Sequence, residues 1–151
     1  MAKDFDKKLH DKYDGPAKDT FEKFMEWYRP DDIVTRDPFG RYGVDFSINR
    51  NGKMLYLDVE VRTCWVNNDD FPFDTIHLPS RKLKFVLEHI NTYFLSMNTL
   101  LTRGLLFRVY RTDVMVQVDN IYVTTGEEFI DIPIERCEYL ELIKENNNGT
   151  K

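Results

Sequence analysis

The dipeptide Asn51-Gly52 narrows most what this chain can fold into. It separates two runs of alternating polarity, Tyr-Gly-Val-Asp-Phe-Ser-Ile at 42–48 and Met-Leu-Tyr-Leu-Asp-Val-Glu-Val-Arg at 54–62. Asn-Gly favours the left-handed backbone of a two-residue hairpin turn, so the spacing predicts two antiparallel strands. Side chains alternate between faces along a strand. Val44, Phe46 and Ile48 are therefore expected on one face of the first strand, and Leu55, Leu57, Val59 and Val61 on one face of the second. The opposite faces carry Asp45 and Ser47, then Asp58, Glu60 and Arg62. A polar face with acids on both strands and a cation beside them is the part of the chain that can carry chemistry.

The flanking segments supply the rest of one domain, spanning 1–151 with a core at about 13–144. Residues 1–13 are charged and are expected to be partly helical. Gly15-Pro16 opens a helix with apolar residues Ala17, Phe21, Phe24, Met25 and Tyr28 on one face, and Pro30 ends it. After the loop at 67–72 a short extended piece covers Thr75–Leu78. A second helix is expected from Ser80 to Ile90, with Leu83, Val86, Leu87 and Ile90 inward. Strands follow at Tyr93–Met97 and Leu105–Tyr110, joined by a turn at Thr102-Arg103-Gly104. Val114–Thr124 reads equally as strand or short helix. Phe129–Ile134 is extended and broken by Pro133, and the tail after Lys144 is frayed. The fold class is α/β: a central mixed sheet of four to five strands flanked by helices.

Composition excludes several classes. No apolar run reaches the roughly 20 residues of a membrane span, and no secretory h-region follows the N-terminus, so a cytoplasmic protein is expected. Cys64 and Cys137 match no metal or redox spacing and read as reduced core thiols. Lys plus Arg number 21 against 26 Asp plus Glu, a net charge of −5. That balance argues against binding nucleic acid by bulk charge, but not against meeting phosphate through a bound metal and a local basic patch.

The hairpin inventory suits such chemistry. Phosphodiester hydrolysis needs an activated water and stabilised charge, which Mg²⁺ supplies when held by one or two carboxylates. Asp45 and Glu60 are the candidate ligands, the carbonyl of Val61 is a further one, and Arg62 is the candidate cation. Asp58 reads as a solvated or supporting neighbour. Arg81, Lys82 and Lys84 open the second helix, where cations oppose the helix dipole. They read as phosphate contacts or as an ordinary solvated face. Trp65 and His77 read as packed or hydrogen-bonded residues.

The run Tyr42-Gly43-Val44-Asp45-Phe46, the hairpin, and Asp58-Val59-Glu60-Val61-Arg62 resemble the core motif of the PD-(D/E)xK nuclease superfamily, closest to small phage-type members. The stretches Tyr13 to Asp19 and Thr75 to Lys82 also look like segments of such proteins, so the resemblance covers roughly 10–110. It implies a restriction-endonuclease-like fold and a Mg²⁺-dependent endonuclease acting on DNA, with Mn²⁺ as a substitute and a homodimer as one arrangement. Asp45 and Glu60 would hold the metal, with Asp19 or Glu22 adding an acid from the first helix. Two positions depart from the pattern. Val44 replaces proline, and Arg62 stands where the family usually has lysine. Arginine stays charged and cannot serve as a base, so Lys82 or Lys84 is an alternative cation. Glu60 and Arg62 also fit a plain ion pair on an open sheet. A catalytically inactive module that binds nucleic acid or a protein, or a structural and assembly protein, are the alternative functions.

Overall fold

The computed structural model describes residues 7–89, 91–110, 121–124 and 127–144. The protein is an α/β chain built on a mostly antiparallel mixed sheet. Helix α1 (Lys7–Tyr28) leads into β1 (Ile33–Arg36), β2 (Phe46–Arg50) and β3 (Lys53–Val61). Strand β4 (Thr75–Pro79) and a 3₁₀ turn at Ser80–Lys82 precede α2 (Leu83–Glu88). Then come β5 (Thr92–Met97), β6 (Arg103–Arg108), β7 (Ile121–Thr124), β8 (Glu127–Pro133) and β9 (Glu138–Glu141).

The Asn51-Gly52 turn forms as expected. Both residues have positive φ, 53° and 88°, the backbone that twists a hairpin in register with its strands. The turn closes on Arg50↔Lys53, and the pairing runs back through Ile48↔Leu55 to Phe46↔Leu57. A six-stranded sheet has the order β1-β2-β3-β5-β6-β9, and a three-stranded sheet the order β4-β8-β7. Strand β5 lies parallel to β3, while the other paired strands are antiparallel. The crossover from β3 to β5 carries β4 and α2, which places α2 and the small sheet on one face of the large sheet.

Two apolar clusters hold these layers together. Phe21, Phe24 and Met25 of α1 pack on Phe46, Leu57, Val59, Leu95 and Met97. On the other face Trp65, Ile76, Leu78, Leu83, Phe85 and Val86 pack with Phe94, Phe107, Ile130 and Ile132. Strand β3 divides them, sending Leu55, Leu57 and Val59 toward α1 and Asp58 the other way.

Several expectations are corrected. Helix α1 begins before Gly15, with Pro16 inside it. The residues at 7–13 favour helix, and the lost Pro16 N–H removes a single bond from an otherwise continuous ladder. Val44 lies before β2, and its side chain enters the cluster opposite that of Phe46. The second helix is a 3₁₀ turn followed by six residues of α-helix, and Leu87 faces solvent while Phe85 is buried. Ile90 lies outside the described residues. Arg103 and Gly104 belong to β6, and the turn before them is built on Asn98, whose Oδ1 accepts from the N–H groups of Thr102 and Arg103. Of 114–124, Ile121–Thr124 is strand and the remainder lies outside the described residues, as does the tail from 145. Cys64 is exposed rather than in the core. The large sheet has six strands because β1 and β9, both short, join its two edges.

Candidate functional site

The register of the hairpin decides which acids meet. One step beyond Phe46↔Leu57, Asp45 comes opposite Asp58, not Glu60. The Asp45 carboxyl accepts the Val59 N–H at 2.9 Å, and its neighbour is the Asp58 carboxyl, in hydrogen-bonding contact. Burial first, then the charge of Asp58, push the Asp45 carboxyl up to about 7, against the opposing pull of the Val59 N–H and Lys18.

Two lysines from different layers close on this acid pair. Lys18, on α1, lies 3.4 Å from Asp45, 3.4 Å from Asp14 and 3.1 Å from Asp37. Lys82, in the 3₁₀ turn before α2, forms an ion pair with Asp58. Burial works against the Lys82 charge, but Asp58, Glu60 and Asp45 outweigh it and hold its pKa above the ordinary lysine range. Burial likewise opposes the Lys18 charge, and Asp37, Asp45 and Asp14 raise its pKa overall. Both lysines are therefore fixed cations at neutral pH, suited to stabilising charge and not to abstracting a proton.

The acid pair and Lys82 form the floor of a cleft of about 520 Å³, with Lys18 behind it. Asp45, Asp58, Glu60, Val61 and Lys82 line it. Tyr13, Asp14 and Ala17 of α1 and the loop Arg41-Tyr42-Gly43 form one wall, and Arg81, Lys84 and Phe85 form the other. Asp45, Glu60 and Val61, expected together from the sequence, thus share one cleft with the three basic residues of the α2 start. Among the described residues no three His, Cys, Asp or Glu side chains stand together at chelating spacing.

Arg62 and Asp19 are placed elsewhere. Arg62 donates from Nε to Ser96 Oγ at 3.2 Å and from Nη2 to the His77 carbonyl at 2.6 Å. It also lies 3.4 Å from Glu60. Its guanidinium ties β3 to β5 and β4 and leans on Glu60 from outside the main cleft. Asp19 and Glu22 bind Arg36 at 2.8 and 2.9 Å on the outer side of α1. The acid that α1 presents to the cleft is Asp14, nearer the start of the helix.

Sequence reasoning missed Asp58, Asp14 and Lys18. Asp58 carried a usable signal, since a two-residue turn sets the register and counting back from it brings Asp45 opposite Asp58. Asp14 and Lys18 share a helix face at i,i+4 spacing, but nothing local says that this face meets the hairpin. Trp65 packs in the core, its Nε1–H donating to the Asp69 carbonyl at 2.8 Å. His77 pairs with Asp131 across β4 and β8.

Neither a protein-family model nor a curated protein sequence matches this chain. Among the described residues no helix is long and apolar enough to cross a membrane.

Proposed function

We propose that this chain is a divalent-metal-dependent phosphodiesterase of the PD-(D/E)xK kind, with a restriction-endonuclease-like fold and DNA as its substrate. The observation that carries the reading is the contact of Asp45 with Asp58, with Glu60 and a fixed lysine lining the same cleft. The donor set fits a hard divalent ion. Two buried carboxylates lie against each other with their repulsion only partly offset, since Asp45 is pushed up to about 7 with both lysines in place. Asp45 and Asp58 would hold Mg²⁺, with Glu60 and the Val61 carbonyl as further oxygen donors. Bound there, Mg²⁺ would polarise the phosphate and lower the pKa of a water.

The chain's own residues account for the rest. Hydrolysis forms a P–O bond from water and breaks the P–O bond to the leaving sugar oxygen, so negative charge grows on the phosphoryl oxygens. Lys82 would offset that charge, the task the motif's lysine position leaves open. Arg62 is a positioning residue that sets the rotamer of Glu60. Arg81 and Lys84, on the wall, suit contacts with flanking phosphates.

The test is a cleavage panel over DNA and RNA, single- and double-stranded, with Mg²⁺ or Mn²⁺. Wild type is expected to cut, Asp45→Asn and Glu60→Gln to abolish cutting, and Lys82→Ala to slow it about 10²- to 10³-fold. A folded wild type that cuts nothing in the panel would end the reading. The commitment of Arg62 to Ser96 and His77 favours one rival, a module that binds nucleic acid without cutting it. That rival predicts salt-sensitive binding, unchanged by Asp45→Asn, and no cleavage.

A further inference from the structure

The loop from Asp37 to Val44 is built more rigidly than its exposure requires. Asp37 and Gly40 adopt positive φ of 49° and 84°. The Asp37 N–H donates to the Asp45 carbonyl at 2.8 Å, and its carboxylate holds Lys18. Phe39 stacks on His89 at 4.9 Å, and His89 stacks on Tyr56 at 4.1 Å. A Cβ on Gly43 would come within 2.7 Å of the Phe39 Cβ, so glycine permits this close turn. The loop is thus fastened to α1, α2 and β3. What it presents at the cleft is Arg41 and Tyr42, with the Arg41 guanidinium 5.6 Å from the Tyr42 ring centroid. Tyr42 is 78% exposed, more than any other large apolar or aromatic side chain among the described residues. A rigid loop that stacks one half-exposed aromatic on His89 and leaves the next in solvent, on the rim of an acid-floored cleft, has the form of a stacking platform.

Resting on the phosphodiesterase reading, we infer that the cleft takes single-stranded nucleic acid, one base stacking on Tyr42 while Arg41, Arg81 and Lys84 meet its phosphates. Three features favour a single strand over a duplex. A cleft of about 520 Å³ is of a size that encloses small ligands. The faces of bases inside a duplex are covered by their neighbours, whereas a single strand offers them to an exposed ring. A chain of net charge −5 has no excess of cations to track two backbones, and stacking supplies affinity that net charge does not.

Binding is tested by fluorescence anisotropy in EDTA, and again in Ca²⁺, on a short labelled oligothymidylate and on a blunt duplex. The single strand is expected to bind about tenfold more tightly or better. Its log affinity is expected to fall against log salt with a slope of about −2, for three phosphate contacts. Tyr42→Ala is expected to weaken it about 5- to 150-fold, while Tyr42→Phe stays within about twofold. A duplex bound equally well or better, a single strand not bound in either buffer, or a Tyr42→Ala variant that binds like wild type overturns the inference. The two readings fail separately. A wild type that binds the single strand but cuts nothing loses the nuclease and keeps this surface. One that cuts duplex at full rate with Tyr42→Ala keeps the nuclease and loses it.

Discussion

Two charge clusters join α1 to the large sheet, with nearly the same inventory. In one, Arg36 of β1 bonds Asp19 and Glu22 at 2.8 and 2.9 Å. In the other, Lys18 and Lys82 face Asp45 and Asp58. The Arg36 contacts are shorter than the Lys18–Asp45 contact of 3.4 Å, yet the clusters differ in consequence because they differ in burial. Asp19 is 64% exposed and Asp58 5%. Water screens the first cluster, so its pairs are worth little. The second has lost water without full compensation, and Asp45 ends near neutral pH in its affinity for a proton. Burial rather than contact distance separates a surface clip from a group of charges able to do chemistry.

The sharpest way to break that contrast is to remove a cation from the buried cluster. Lys82→Met leaves Asp58 buried beside Asp45 with its ion-pair partner gone. Loss of one partner of a buried pair costs about 3 kcal/mol or more. Urea unfolding at neutral pH is expected to show that loss, with a smaller loss in mild acid where the acid pair takes up a proton. A Lys82→Met variant as stable as wild type at both pH values would mean that water reaches Asp58 freely and that the two clusters are alike.

A milder effect of opposite sign is expected at Asp45. Its carboxyl titrates at about 7 in the folded chain and near 3.8 without the fold. The folded state therefore binds the proton more tightly, and the contribution of this one group to stability is greatest below about 4 and is lost as pH rises through about 7. Asp45→Asn keeps an oxygen for the Val59 N–H and removes the repulsion with Asp58. In EDTA it is expected to be more stable than wild type at pH 8, on the order of 2 kcal/mol, with the gap closing toward pH 4. Equal dependence on pH in both proteins would show that Asp45 is solvated. A variant that gains stability while losing cleavage would also show that the fold tolerates this acid pair at a cost.

The hairpin was legible because its signals are local. Asn51-Gly52 sets the turn and register, and the alternation puts Asp58 and Glu60 on one face of β3, with Asp45 reaching Asp58 from the residue before β2. Strand β1 was not legible. Ile33-Val-Thr-Arg is a short edge with Ile33 exposed, so burial leaves no period to read. The exchange of Arg62 for Lys82 was only half legible. Lys82 stood among the candidates, but its meeting with Asp58 depends on β4 and the 3₁₀ turn crossing the face of the large sheet, a long-range packing event without a local signature. The same holds for Lys18, whose helix face is set by Phe21, Phe24 and Met25 docking on the sheet rather than by its own neighbours.

The smallest effect should come from the exposed cluster. Arg36→Ala removes both contacts to Asp19 and Glu22, on a strand at the edge of the sheet. Each pair holds two flexible side chains in water, so ordering them offsets most of the attraction. The expected loss is about 1 kcal/mol or less in low salt, read as a shift in the urea midpoint. It should shrink toward zero near 1 M salt, where the Debye length falls to about 3 Å. The Lys82→Met loss should persist there, because salt screens the buried pair poorly. If both variants lost the same stability and both losses faded with salt, the cleft floor would be an ordinary wet surface, and Asp45, Asp58 and Lys82 would have no environment distinct from that of Asp19, Glu22 and Arg36.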